Sequence, residues 1–310
     1  MMATSITRRQ IREAACEQLG LLKKITIDTV DTTAHTFKAA DLVKKYPDAF
    51  HIQDAYLTSR ETDATGSNYH RIIKWYDEET PDTIQLDSGP DDLADGEDGA
   101  IYELLSPEEW NDAINESLGE LLHPVRITIT LDTEDNNYAM DPQTDSEGDA
   151  CTWIVSRTQI HHVDTKDVSD NIISETDWAG YKIIEDANGL QVHLTYIPQD
   201  ATYLVVTVLK PYSRFAAGAD ELTSDIVANH TTTCPFQMAV QAAKVKAVLK
   251  MYQRHGADNL RKRFGTSLAI AERQLAQMKA AYTPAMRPHS MQIDETFEPD
   301  IPSDLTSPVW

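Results

Sequence analysis

The sequence predicts an α+β protein: β-rich regions of sandwich or barrel-like character, an N-terminal helix, a central helix and a C-terminal α-helical hairpin, then an extended tail. Three observations predict it. Apolar residues recur at helical spacing near residues 5–19, 106–121 and 235–283. Short β-branched runs that alternate apolar with polar fill the intervals. Beyond residue 284, Pro288, Pro299, Pro302 and Pro308 stand among acids, with Phe297, Ile301, Leu305 and Trp310 as isolated apolar residues.

In residues 5–19, Ile6, Ile11, Ala14, Ala15 and Leu19 share one side, and Gly20 closes the helix. Residues 25–37 alternate and read as strands, and 39–46 as one or two helical turns stopped by Pro47. Further strands are expected at 51–60, 68–77 and 83–86, the last two joined by Thr80-Pro81-Asp82. Residues 87–99 are acidic and glycine-bearing, hence a loop. Ser106-Pro107-Glu108-Glu109 is a capping box with proline at the first helical position. It opens a helix through Trp110, Ile114, Leu118 and Leu121 that ends before Pro124.

Residues 125–131 alternate cleanly, and strands are expected at 151–156, 181–185, 190–197 and 203–209. Asn188-Gly189 joins two of them as a tight hairpin. The acidic stretch 132–149 reads as a long loop and 220–230 as a short helix. The order suggests an ancient duplication, although no residue-level repeat supports it. The expected organisation is 1–105 (first helix and β-region), 106–218 (central helix and second β-region), 219–283 (hairpin) and 284–310 (tail).

The hairpin begins at Pro235 and carries Phe236, Val240, Ala243, Ala247, Val248, Met251 and Tyr252 at helical spacing. His255-Gly256 breaks it, and a second helix runs through Leu260, Phe264, Leu268, Ala271, Leu275, Met278 and Tyr282. Between Pro235 and Thr283 lie nine Lys/Arg and two acids, in a chain with 27 basic and 50 acidic residues. Opposite charges on separate surfaces steer copies of a chain together or onto an acidic partner. A solvated face that keeps the helices soluble is the competing reading, about equal in weight.

A length of 310 residues allows one large domain or two to three small ones, and 41% apolar content is enough for real cores. A net charge of −23 argues against nonspecific duplex binding by the whole monomer. No apolar run is long enough for a membrane helix, and the first ten residues lack a signal core. Three scattered cysteines, Cys16, Cys151 and Cys234, do not form a disulfide framework and suit a reducing cytoplasm.

Catalytic fingerprints are missing: there is no Gly-x-Ser-x-Gly, phosphate-cradling glycine loop or Cys-x-x-Cys. In His161-His162-Val163-Asp164, adjacent strand residues point to opposite faces, so only one histidine can act with Asp164. The acidic run 141–149 invites a calcium reading. Aligning Gly148 with the turn glycine of an EF-hand puts Gln143 at the first ligand position and Ile154 where the bidentate acid belongs, and the match fails. Trp75, Tyr76 and Trp110 read as core; Tyr196 and Tyr203 are the residues a sugar platform would use. The expectation is a non-enzyme with no cofactor and no metal.

The ordering resembles the head–tail connector, or adaptor, proteins of tailed bacteriophages. The residues that carry it are Thr7–Leu19 with Gly20, Arg71-Ile72-Ile73-Lys74-Trp75-Tyr76-Asp77 followed by the 83–86 strand, Trp110-Asn111-Asp112-Ala113-Ile114-Asn115, and the C-terminal hairpin. The resemblance implies a virion protein of the neck, assembled in the host cytoplasm as a homo-oligomeric ring of about twelve copies. Its partners would be the portal protein and a tail or tail-terminator protein, with DNA passing through the lumen and no membrane contact. The region 125–210 and the proline-bearing tail depart from that pattern. Joined to the charge contrast, it makes Lys244, Lys250, Arg254, Arg261, Lys262 and Arg263 the expected subunit or portal interface. Phe297, Ile301 and Trp310 are the expected tail anchors. The alternatives are a tail-associated adhesin that binds host glycans and a hydrolase with an unrecognised acid pair.

Overall fold

The computed structural model describes residues 6–40, 42, 54–61, 68–75, 83–132, 135–141, 143–173, 180–186, 189–216 and 234–282. The Thr80-Pro81-Asp82 turn, the 220–230 helix and the tail with Phe297, Ile301 and Trp310 lie outside the described residues. The chain is α+β, with four helices among these residues, antiparallel sheets and no closed barrel. It divides into two compact units: residues up to 122 together with 211–282, and residues 123–210.

Unit 1 begins with α1 (Arg8–Gln18), opened by a capping box in which Thr7 Oγ1 accepts from Gln10 N–H and Gln10 Oε1 accepts from Thr7 N–H. Seven strands follow: β1 (Leu22–Thr26), β2 (Thr29–Asp31), β3 (Thr36–Lys38), β4 (Ala55–Ser59), β5 (His70–Lys74), β6 (Thr83–Leu86) and β7 (Asp98–Glu103). They form one sheet in the order β1-β7-β4-β5-β6-β3-β2. β7 starts inside the stretch expected to be loop. It is buried from Gly99 onward, so it lacks the alternation that marks a half-exposed strand. At Gly99 a Cβ would stand 3.1 Å from Ile27 Cδ1, so the small residue lets neighbouring strands close up.

Helix α2 (Pro107–Glu120) starts at the expected capping box: Ser106 Oγ accepts from Glu109 N–H, and Glu109 Oε2 accepts from Ser106 N–H. Its buried residues Trp110, Ala113, Ile114, Ser117 and Leu118 follow the helical repeat. They join Ile11 and Cys16 of α1 and residues of α3 (Phe236–His255) and α4 (Ala257–Tyr282) in one core. A second core, around Phe37, Leu57, Ile84, Leu86 and Ile101, lies within the sheet region.

The hairpin α3–α4 turns on the single residue Gly256, at φ +82° and ψ 138°. An added Cβ would meet nothing within 4 Å, so the demand is purely on the backbone. Gly256→Ala is expected to cost about 1–3 kcal/mol, measured by chemical denaturation of unit 1.

Unit 2 holds β8 (Leu122–Thr130), β9 (Asn137–Ala139), β10 (Ile160–Lys166), β11 (Tyr181–Asp186), β12 (Gly189–Leu194) and β13 (Tyr203–Pro211). Two three-stranded sheets, β10-β13-β8 and β11-β12-β9, enclose one apolar core in a small sandwich. Alternation in β8 is as read: Val125, Ile127 and Ile129 are buried and their neighbours exposed. Asp186 pairs with Gly189, at φ +98°, where the tight hairpin is expected; Asn188 itself is outside the described residues.

Two expectations fail here. Cys151–Trp153 is a 3₁₀ turn and not a strand, because Cys151 and Ile154, three residues apart, both enter the core. β9 lies inside the stretch expected to be loop, and its Tyr138 is buried. The four consecutive segments also regroup. α2 and the hairpin belong with the first sheet, since α2 buries its apolar face against α1 and α3, and 123–210 forms an insertion between them.

Candidate functional site

The hairpin's cations fall into four groups. Lys244 is buried, donating to Gln18 Oε1 and Gln241 Oε1 at 3.1 Å each, and burial lowers its pKa. It is part of the α1–α3 packing and offers no surface, which corrects its place in the expected interface.

Lys246, Lys250 and Arg254, one turn apart on α3, face acids on α2. Lys246 pairs with Glu120, Lys250 with Glu116 at 2.8 Å and Asp112 at 3.9 Å, and Arg254 with Glu109 at 2.6 Å. Arg254 also donates to Tyr56 Oη at 2.8 Å. The residue numbers run in opposite senses, so this is an antiparallel ladder. Each such rung contributes about 0.2–1 kcal/mol. Much of the charge contrast in the sequence is therefore satisfied inside unit 1. The acids at 109, 112, 116 and 120 lie on one helical face, and that spacing was the available signal for it.

Arg263 donates to Glu103 Oε2 at 3.4 Å, and Lys23 meets the same carboxylate, of which only 1% is exposed. Burial, followed by repulsion from Arg263, lowers the Lys23 pKa to about 8. Arg263 thus fastens α4 to β7.

The fourth group is Arg261, Lys262, Arg273 and Lys279, all exposed and in no ion pair with a described residue. α4 buries Phe264 and Ala271, with Leu260, Leu268, Leu275 and Met278 partly covered. Its opposite stripe, Lys262, Thr266, Ala269, Ile270, Arg273, Gln277 and Ala280, faces outward at helical spacing. Ile270 is 50% exposed.

In unit 2 the acidic run does gather carboxylates. Asp145, Glu147 and Asp149 bring oxygens within 4.8 Å of one another, as a cation site would. Their centre belongs to Lys210 of β13, whose Nζ donates to Asp145 at 2.7 Å, Glu147 at 3.0 Å and Asp149 at 2.6 Å. The Trp153 ring lies 5.3 Å from the same ammonium, and His123 Nε2 sits 3.0 Å from Glu147 Oε1. Burial alone would raise the Asp145 carboxyl; the Lys210 bond and the N–H groups of Asp149 and Glu147 outweigh it and hold it low. Burial opposes the Lys210 charge, yet the three carboxylates push its pKa above the usual lysine value. The ammonium fills the place that a dissolved cation would take.

His162 Nε2 lies 2.9 Å from Asp164 Oδ1, both buried on β10, while His161 on the other face is half-buried. This is a two-residue pair without a third ligand beside it among the described residues. His70 has Ser88 Oγ 2.9 Å from Nδ1 and Asp92 Oδ1 2.5 Å from Nε2. That reverses the ring of a Ser–His–Asp triad, where serine meets Nε2. Ser88 also donates to Asp87 at 3.2 Å, so the cluster clasps the 87–97 loop to β5. Cys16, Cys151 and Cys234 are free and buried, and burial raises all three thiols, Cys151 to about 11 and Cys234 to about 12. Such thiols are poor nucleophiles. No helix among the described residues is long and apolar enough to cross a membrane. No protein-family model matches the chain, and no curated protein matches it in sequence.

Proposed function

We propose that this chain is a non-catalytic structural subunit that acts in a ring of its own copies, in the manner of an adaptor between the portal and tail of a tailed phage, around a lumen for DNA. The observation that carries the reading is the outward stripe of α4. A 26-residue helix covers one side with its own unit and turns Lys262, Ile270 and Arg273 to the outside, in a protein of net charge −23. The acidic balance of the remaining surface makes another copy, or an acidic partner in the neck, the natural cover for that stripe. Of the expected interface cations, Arg261 and Lys262 remain and Arg273 joins them, with Lys250, Arg254 and Arg263 serving the subunit's own packing.

The adhesin reading calls for a groove with paired aromatic rings. Tyr196 is 54% exposed, but among the described residues no ring contact joins it to Tyr203 or another aromatic. Sedimentation velocity and native mass spectrometry on the full chain test the proposal. The wild type should form closed oligomers. Lys262→Glu with Arg273→Glu should raise the concentration needed for assembly by on the order of tenfold at low salt, and by less at high salt. A wild type that stays monomeric at every concentration would reject the ring.

A further inference from the structure

One face of α2 carries Glu108, Asp112, Glu116 and Glu120 at four-residue intervals, so they stand in one row along the helix. Their rungs to α3 do not hide them. The side chains of Asp112, Glu116 and Glu120 are 63%, 52% and 60% exposed, against 24% and 25% for Lys250 and Lys246. Glu108 is exposed as well, with Tyr69 Oη at 3.3 Å. The lysine rungs therefore turn their acids to water and keep their ammonium groups more covered. Arg214 lies across Gly119 near the end of the row. With Arg214 and Glu109 included, five acids stand against four cations. Leu249 is 40% exposed and three residues from Lys246, hence its neighbour on the α3 surface.

We infer that the outward α4 stripe of one copy docks along this acidic row on α2 of a second copy, an inference that rests on the ring reading above. The two faces match in length. Lys262 and Arg273 are eleven residues apart, as are Glu109 and Glu120. That is about three turns and roughly 16 Å, so each pair keeps to one side of its helix. They also match in sign. Of the acids on α4, Asp258 precedes the stripe and Glu272 is turned about 100° from Arg273. Ile270 and Leu249 give the contact an apolar centre within a charged surround.

The acidic loop 87–97 fits less well. Asp87 accepts from Arg71 N–H, Asp92 holds His70, Asp95 accepts from Val30 N–H, and Glu97 accepts from Ser59 and Ala94. Its large apolar residue, Leu93, is buried. Because α2 and α4 are separate helices, both packed on α3, one copy can give its stripe to one neighbour and its row to another. The contact is then heterologous and repeats head to tail, closing into a ring when the rotation permits.

The test uses two full-length variants, K262E/R273E and D112K/E120K, alone and mixed in equal amounts, followed by sedimentation velocity and native mass spectrometry. Asp112 is 3.9 Å from Lys250, and Glu120 ends α2, where a cation suits the helix dipole, so both sites accept lysine. Each variant alone should raise the concentration needed for assembly by on the order of tenfold or more at low salt, and by less at high salt. The mixture should reassemble, since each reversed stripe then meets a reversed row and each native stripe a native one. Ile270→Ser and Leu249→Ser should weaken assembly with little salt dependence. If circular dichroism shows D112K/E120K unfolded, D112N/E120Q, which keeps size and removes only charge, carries the test with a smaller loss in the same direction.

If K262E/R273E disassembles while the α2 variants assemble like wild type and mixing restores nothing, α2 is not the seat, and the ring survives with another acidic surface as partner. If K262E/R273E assembles like wild type, the stripe is no interface and this contact falls with it. A monomeric wild type would remove the ring as well.

Discussion

Replacing Lys210 with methionine should lower the unfolding free energy of unit 2 by about 3–5 kcal/mol at neutral pH. The side chains of Asp145 and Glu147 are 0% and 1% exposed, so the variant would leave Asp145 buried with backbone N–H groups but no cation, while Glu147 keeps His123 at 3.0 Å. Removing the partner of a buried ion costs far more than the pair contributes. Replacing the cluster as a whole, with D145N, E147Q and D149N added to K210M, should recover part of the loss.

The pH dependence separates the variants. Asp145 titrates below its ordinary 3.8 in the folded chain, so its contribution is present above about pH 4 and lost as pH falls through the folded value. Lys210 titrates above its ordinary 10.5, so its contribution is present below that pH and lost as pH rises through the folded value. In K210M the crowded carboxylates take up protons more readily folded than unfolded, so mild acid should stabilise the variant while it weakens the wild type. Hydrogen exchange on β8, β10 and β13 across pH 4–7 reads the difference. Identical profiles would mean that the ammonium is incidental.

Trp110→Ala should destabilise unit 1 by about 3–5 kcal/mol and lower its melting temperature by roughly 10 °C. Trp110 is fully buried and lies in the core shared by α1, α2, α3 and α4. No neighbour can fill the space without moving a helix. Its indole N–H has no acceptor among the described residues, so Trp110→Phe removes an unsatisfied donor and should cost much less. Calorimetry should show the lower transition in unit 1 alone; an unchanged melt would mean that the helices are held elsewhere.

The helices were legible because their signals are local. Ser106 with Glu109 announces α2, and Gly256 divides the hairpin. β7 was missed because burial on both faces erases alternation, and Cys151–Trp153 was misread because an i, i+3 pair can imitate a strand's apolar content. The acidic run was visible and its chemistry was not. Asp145 and Lys210 meet across 65 residues of sequence, and no spacing rule reports a partner that only tertiary folding delivers. The hairpin's cations are plain in the sequence, whereas the α2 acids that face Lys246, Lys250 and Arg254 meet them only in the folded unit.

The partnership of α2 with α3 also governs the order in which the molecule can be made. Residues 123–210 form a continuous stretch whose strands are all present once β13 leaves the ribosome. The first sheet and its helices must wait for residues near the far end of the chain, with their apolar faces open in the meantime. A nascent chain halted before residue 234 should therefore already hold a protease-resistant middle between two ends that are still digestible.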